Sequence, residues 1–248
     1  MAIIDIRIIE AGKGWVVADK PWGMSVHNAP GRDLCSQTVE RLRTDPALSE
    51  QVHWDRKFGI HPVHRIDRET SGLILLAGRR DALVNLAKQF ESGAVTKRYH
   101  ALVHGRLEAP ETPDGWDLWD HPLSKEAGGR ENPAGSPPRK PCRTRYRVIA
   151  HSAHYTLVAC EPLTGRTHQI RRHAKLAGHP VVGDSRYGSP RSLAFLKDRR
   201  DFARLGLHAA VISFTPPEKE RPITVKTETL PPEMAVLLEE DDLHEEEG

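Results

Sequence analysis

The densest group of ionisable side chains beside an apolar run is His64-Arg65-Ile66-Asp67-Arg68-Glu69-Thr70-Ser71-Gly72, which leads into Leu73-Ile74-Leu75-Leu76. Asp67 has an arginine on either side in sequence. A nearby guanidinium favours the ionised carboxylate, and a carboxylate at the edge of a core strand can serve as nucleophile or base. A purely structural Asp, ordering the turn before the strand with Thr70 and Ser71, explains the segment equally simply, and on this segment alone is the stronger reading. A second segment is Pro162-Leu163-Thr164-Gly165-Arg166-Thr167-His168-Gln169-Ile170-Arg171-Arg172-His173-Ala174-Lys175. At 100° per residue, Ile170, His173, Ala174 and Ala177 share one helical arc, and His168, Arg171, Arg172 and Lys175 the opposite one. Such a cationic face suits phosphate contacts, or is simply a solvated charged face. Arg166 precedes the helix in a Thr-Gly-Arg turn, where its guanidinium fork could reach a carboxylate such as Asp67. In Lys97-Arg98-Tyr99-His100-Ala101, Tyr99 could stack on a base or exchange a proton, or could be half-buried with its hydroxyl satisfied.

Other chemistries lack their signatures. His61 and His64 form an H-x-x-H pair without a spaced Cys or acidic partner, a weak metal signal. There is no P-loop, no G-x-G-x-x-G and no G-x-S-x-G, which argues against nucleotide hydrolysis, dinucleotide redox chemistry and standard esterase chemistry.

The elements that must position these residues follow from periodicity. Ile3 to Ile9 and Trp15 to Asp19 read as strands around the turn Gly12-Lys13-Gly14, and Ser36 to Arg43 has a weak helical period. Gly72 to Ala77 is a strand, and Leu83, Leu86, Ala87 and Phe90 mark a core-packing helix ending near Gly93. Further strands are expected at Tyr99 to His104, Thr144 to Ile149, Tyr155 to Ala159, Leu207 to Phe214 and Ile223 to Lys226, with a short apolar helix near Met234 to Leu238. Leu107 to Pro141 reads as a long excursion, mobile in part, and His179 to Gly188 as a loop. Strands outnumber helices without strict alternation, which predicts an α+β fold with a mixed, largely antiparallel sheet and flanking helices.

The chain has 248 residues, 38% of them hydrophobic and 28% charged, as expected of a globular protein with a sizeable core. Its longest apolar runs are far shorter than the roughly 20 residues of a membrane span, and the N-terminus lacks a signal pattern. Cys35, Cys142 and Cys160 form no C-x-x-C pair, so a reduced, cytoplasmic location is expected. The formal net charge of +2 conceals a segregation. Residues 239–248 hold seven acids and no Lys or Arg, so residues 1–238 carry 36 basic and 27 acidic side chains, a net +9. That excess favours a polyanionic partner such as nucleic acid. The reading is one domain over 1–238 and an acidic, disordered tail over 239–248.

Together these segments resemble the RluA-type family of pseudouridine synthases. His64-Arg65-Ile66-Asp67-Arg68-Glu69-Thr70-Ser71-Gly72-Leu73 is similar to the family's H-R-L-D-x-x-T-S-G-L motif, with Ile66 in place of Leu. Lys97 to Ala101, Gly165 to Arg171, Gly178 to Asp184, Lys20-Pro21-Trp22-Gly23-Met24 and Leu207-His208-Ala209 support it in family order. The resemblance implies isomerisation of a specific uridine in structured rRNA or tRNA, through a catalytic aspartate and base flipping. It gives Asp67 the role of catalytic carboxylate, as nucleophile at C1′ or as base. Tyr99 would stack on the flipped uracil, Arg166 would pair with Asp67, and Arg65 would fill the gap left by the extruded nucleotide. Arg68, Lys97, Arg98, His168, Arg171, Arg172 and Lys175 are expected to bind RNA. No cofactor, metal or membrane is called for, and a monomer is expected. The chain begins almost at once with the catalytic-domain strands, so RNA recognition is expected to come from that domain, with substrate-specific contacts from the excursion Leu107 to Pro141 and from Ser189 to Arg204. The alternative is a non-catalytic RNA-binding or RNA-folding module of the same fold.

Overall fold

The computed structural model describes residues 6–243. The first half of the chain forms β1 (Arg7–Gly12), β2 (Trp15–Lys20), α1 (Leu34–Thr44), α2 (Pro46–Val52), β3 (His61–Pro62), β4 (Ser71–Ala77) and α3 (Arg80–Glu91). Then come β5 (Thr96–His104), β6 (Asp117–Trp119), β7 (Leu123–Ser124), β8 (Arg139–Lys140), β9 (Thr144–His151) and β10 (Tyr155–Pro162). The last are α4 (Gln169–Leu176), α5 (Pro190–Arg200), β11 (Leu207–Phe214), β12 (Ile223–Lys226) and α6 (Pro232–Leu243). Among the described residues, one compact unit comprises those up to Lys97 together with Ala209–Glu228, and the other comprises Arg98–His208 and those from Thr229 onward.

In the first unit the strands lie in the order β1-β2-β4-β11, with β12 on β11 and β3 on β4. The pairings β1–β2, β2–β4, β3–β4 and β11–β12 are antiparallel. Alternation of side chains along β2 and β4 builds two cores. Val16, Ala18, Ile74 and Leu76 pack with Leu34 and Leu42 of α1, Val52 of α2, and Trp54. Trp15, Val17, Leu73 and Leu75 pack with Leu86 of α3, Ile212, Phe214 and Val225. Because both faces are covered, every residue of β4 is buried, which is why the strand reads as an unbroken apolar run rather than an alternation. Gly72 lies beside β11 at φ +105°, and a Cβ there would stand 2.3 Å from the Ala209 carbonyl oxygen. The position therefore requires glycine on two counts.

In the second unit the order is β5-β10-β9-β6, each pair antiparallel, and β7 pairs with β8. Leu102, Tyr155 and Leu157 of the sheet pack against Leu196 of α5 and against Met234 and Leu237 of α6. No helix among the described residues is long and apolar enough to cross a membrane.

The α+β reading with a largely antiparallel sheet holds in this architecture. Several local expectations change. The first strand begins at Arg7 rather than Ile3, whose neighbourhood lies outside the described residues, and it extends to Gly12. Helix α2 went unread because its seven residues are too short for a periodic signal, although Asp45 caps it by accepting from the Leu48 N–H and Pro46 opens it. The excursion over 107–141 contains three short strands. Helix α6 runs through Leu243, so the first half of the acidic segment continues a helix.

Candidate active site

Asp67 sits in the loop between β3 and β4, half-buried, with Arg65, Arg68 and Glu69 exposed around it. Its carbonyl accepts the Thr70 N–H at 3.1 Å, closing the turn that feeds β4. Three side chains fix that loop. Lys20, fully buried at the end of β2, donates from its ammonium to the carbonyls of Pro21 (3.0 Å), Met24 (2.8 Å) and Arg68 (3.0 Å). Arg68 Nε returns a bond to the Gly23 carbonyl at 2.8 Å. The Lys20 to Met24 segment is thus a clamp on the Asp67 turn; a buried ammonium is tolerable only with such acceptors.

The third is His64. Its Nε2 accepts the Leu75 N–H at 3.0 Å and its ring stacks on Phe90 at 4.8 Å. Desolvation, with a lesser contribution from the Lys97 charge, lowers its pKa to about 3, so it is a neutral acceptor near neutral pH. It anchors the start of the Arg65 to Asp67 loop to β4 and to α3. His61 Nε2 lies 2.7 Å from the Phe58 carbonyl. No group of three or more His, Cys, Asp or Glu able to hold a metal ion occurs among the described residues.

Tyr99 is on β5, opposite Cys160 of β10, and only 9% exposed. Its neighbours on the strand point the other way. Arg98 binds Glu161 through Nε (3.0 Å) and an Nη (2.7 Å), and lies 5.3 Å from the Trp116 ring. Lys97 is half-buried with its ammonium 5.5 Å from the Phe90 ring, and burial lowers its pKa.

The turn carrying Arg166 is held by Gln169, whose Oε1 accepts from the Arg166 N–H (3.0 Å) and the Thr164 hydroxyl (2.8 Å). Gln169 Nε2 donates to the Arg143 carbonyl and to Thr144 Oγ1, both at 2.9 Å. Arg166 itself is half-buried. His168 initiates α4 in the left-handed region at φ 54° and its Nδ1 is 3.1 Å from the Tyr187 hydroxyl. A non-glycine residue held there needs surrounding structure to impose it.

The cationic arc of α4 is where expectation and structure part. Arg171 and Arg172 are 2% and 0% exposed, so they do not form an RNA-facing surface. Arg171 makes a bidentate pair with Asp184 at 2.7 and 2.9 Å. Arg172 donates to the carbonyls of Pro133 (2.6 Å), Ala134 (2.7 Å), Ser124 (3.1 Å) and Thr167 (3.3 Å) and to Ser124 Oγ (3.1 Å). It thereby organises the excursion, as Arg130 does by bonding the Gly188 carbonyl. The helical wheel displayed the charges but not Asp184 or the carbonyls that neutralise them. His173, 1% exposed, is bonded to Thr144 Oγ1 (2.9 Å) and the His121 carbonyl (3.0 Å), with its pKa lowered to about 4 chiefly by burial. Lys175 is half-buried. Asp67 and Arg65 belong to the first unit, Tyr99 and Arg166 to the second.

Lys20, His64, Gln169 and Asp184 were not among the residues singled out for the site. Each is a polar group inside or beside a recognised motif, with Lys20, Gln169 and Asp184 buried and His64 partly so, and that unlikely composition was the available signal.

Comparison with known proteins gives this arrangement its family. Residues 14–176 match the family model described as RNA pseudouridylate synthase. The ribosomal large subunit pseudouridine synthase C of Vibrio vulnificus is 40% identical over 213 residues, covering 85% of this chain and 61% of the relative. An uncharacterized RNA pseudouridine synthase, YlyB of Bacillus subtilis, is 34% identical over 236 residues, covering 95% of this chain and 73% of the relative. The chain thus spans about three fifths of the length of the Vibrio relative. The solved structure of human RNA pseudouridylate synthase domain containing 1 is similar with a TM-score of 0.72 and 25% identity, over 95% of this chain and 89% of that one. The chain therefore belongs to the RNA pseudouridylate synthase family.

Proposed function

We propose that this protein isomerises a uridine of structured RNA to pseudouridine and that Asp67 is its catalytic carboxylate. The observation that carries the reading is the Asp67 turn: a half-buried carboxylate on a loop clamped by Lys20, Arg68 and His64. Rigid support of this kind is what a group acting on one sugar carbon requires. In the reaction the N1–C1′ bond breaks, the uracil turns, C5 bonds to C1′, the C5 proton leaves and N1 is left carrying a proton. Atoms and charge balance without a redox partner. Asp67 acts on the sugar, as nucleophile at C1′ or as base. Tyr99 stacks on the turned uracil, and Arg166 contributes a guanidinium to the reaction. Exposed Arg65 takes the place of the uridine, which must leave its stack to be reached.

Large-subunit ribosomal RNA is the first substrate to test, because the Vibrio relative is named for it; transfer RNA is the second. Pseudouridines are mapped in total RNA from cells with and without the gene. The reading expects at least one site to disappear on deletion and to return when the gene is restored. Identical maps would overturn it.

A further inference from the structure

The expected RNA-facing helix is buried, yet another helix of the same unit presents what α4 withholds. On α5, Leu196 faces the core at 1% exposure. At 100° per residue Arg191, Phe195 and Arg199 succeed one another within an 80° arc on a different side of the helix. All three are exposed, Phe195 at 47%. Lys197 is exposed as well. Among the described residues no carboxylate lies within ion-pair distance of Arg191, Lys197 or Arg199, in contrast to Arg98, Arg145 and Arg171. Asp198 is the one acid on the helix, against four basic residues. Arg200 approaches the Phe195 ring at 5.8 Å, leaving the ring nearly half accessible. The helix is anchored beneath: Ser189 caps it by accepting from the Ser192 N–H, and Ser192 Oγ lies 3.0 Å from His104 Nε2 on β5.

We infer that the Arg191-Phe195-Arg199 stripe of α5 is an RNA-docking surface, with the phenyl ring stacking on an unpaired base and the two guanidiniums meeting flanking phosphates. It rests on the RNA-modifying reading given above. Charge complementarity selects the partner: an exposed aromatic between unpaired cations suits a single-stranded polyanion with stackable bases. Arginine supplies the forked donor that phosphate oxygens accept.

The test uses the full chain and two probes, a mixed-sequence single-stranded RNA oligonucleotide and large-subunit ribosomal RNA transcribed in vitro, with affinity read by fluorescence anisotropy. Phe195→Ala is expected to weaken binding of both about tenfold or more, the size of one base–aromatic stack, while Phe195→Trp restores it. Arg191→Gln with Arg199→Gln is expected to lower the slope of log affinity against log salt by about 1.4, at roughly 0.7 per phosphate contact on a single strand. Circular dichroism and thermal melting should be unchanged, as the three residues are exposed. Wild-type affinity and salt slope in both variants would overturn the docking surface while leaving the isomerase reading intact. A wild-type chain that binds neither RNA would instead strike at that reading itself.

Discussion

Lys20 and Asp67 stand 47 positions apart in sequence, yet the ammonium of one holds the backbone of the turn that presents the other. Replacing Lys20 by Met leaves the carbonyls of Pro21, Met24 and Arg68 without that donor, a loss of about 1–3 kcal/mol if they stay buried. The expected outcome is a lowered melting temperature together with a fall in pseudouridine formation larger than the fall in RNA affinity, since the turn, not the RNA surface, is loosened. Equal losses in both would contradict the clamp. His173 makes a second prediction through pH. Its folded pKa, lowered to about 4, lies below the ordinary histidine value of about 6.5, so its neutral form contributes stability that is present above pH 6.5 and is lost as pH falls toward 4. His208, 4% exposed and lowered to about 3 mainly by burial, acts in the same direction. Unfolding free energy measured in urea should therefore decline between pH 6.5 and 5, and His173→Gln should remove about one proton's worth of that slope. A parallel profile in the variant would refute the assignment.

At the scale of elements, α4 shows what periodicity can and cannot reveal. Its position was legible, because Ile170 and Ala174 mark a helical face. The fate of its charges was not, because Asp184 lies in a loop eight residues beyond the helix and the carbonyls of Pro133 and Ala134 lie in the excursion. Partners across such separations leave no periodic trace. The structure consequently predicts that Arg171→Met destabilises the fold by about 3–5 kcal/mol, leaving Asp184 buried without its bidentate partner. A variant that melts like the wild type but binds RNA with a reduced salt slope would return Arg171 to the surface role. Strand β4 was legible for the opposite reason: both its faces are covered, so its apolar run alone announces it. The Lys20-Pro21-Trp22-Gly23-Met24 motif was visible as a pattern, but its work as a clamp depends on hydrogen bonds that only folding creates.

For the molecule as a whole, the balance between a basic body and an acidic C-terminal segment has two parts. Asp241 of α6 is 1% exposed and accepts from Ser152 Oγ at 2.7 Å and the His154 N–H at 2.6 Å, so it fastens the helix to the turn between β9 and β10. Deleting residues 239–248 removes that clasp. It should destabilise the protein by about 1–3 kcal/mol, and Asp241→Ala in the full chain should lower the melting temperature in the same direction. A wild-type melting temperature in Asp241→Ala would contradict the role of Asp241. Large-subunit ribosomal RNA labelled with tritium at C5 of uridine is incubated with the wild-type protein and with Asp67→Asn, and released tritium and RNA affinity are measured together. The wild type should release the label as pseudouridine forms, and Asp67→Asn should lose activity by roughly a thousandfold or more while binding the RNA as before. Release by Asp67→Asn at the wild-type rate would remove Asp67 from the reaction.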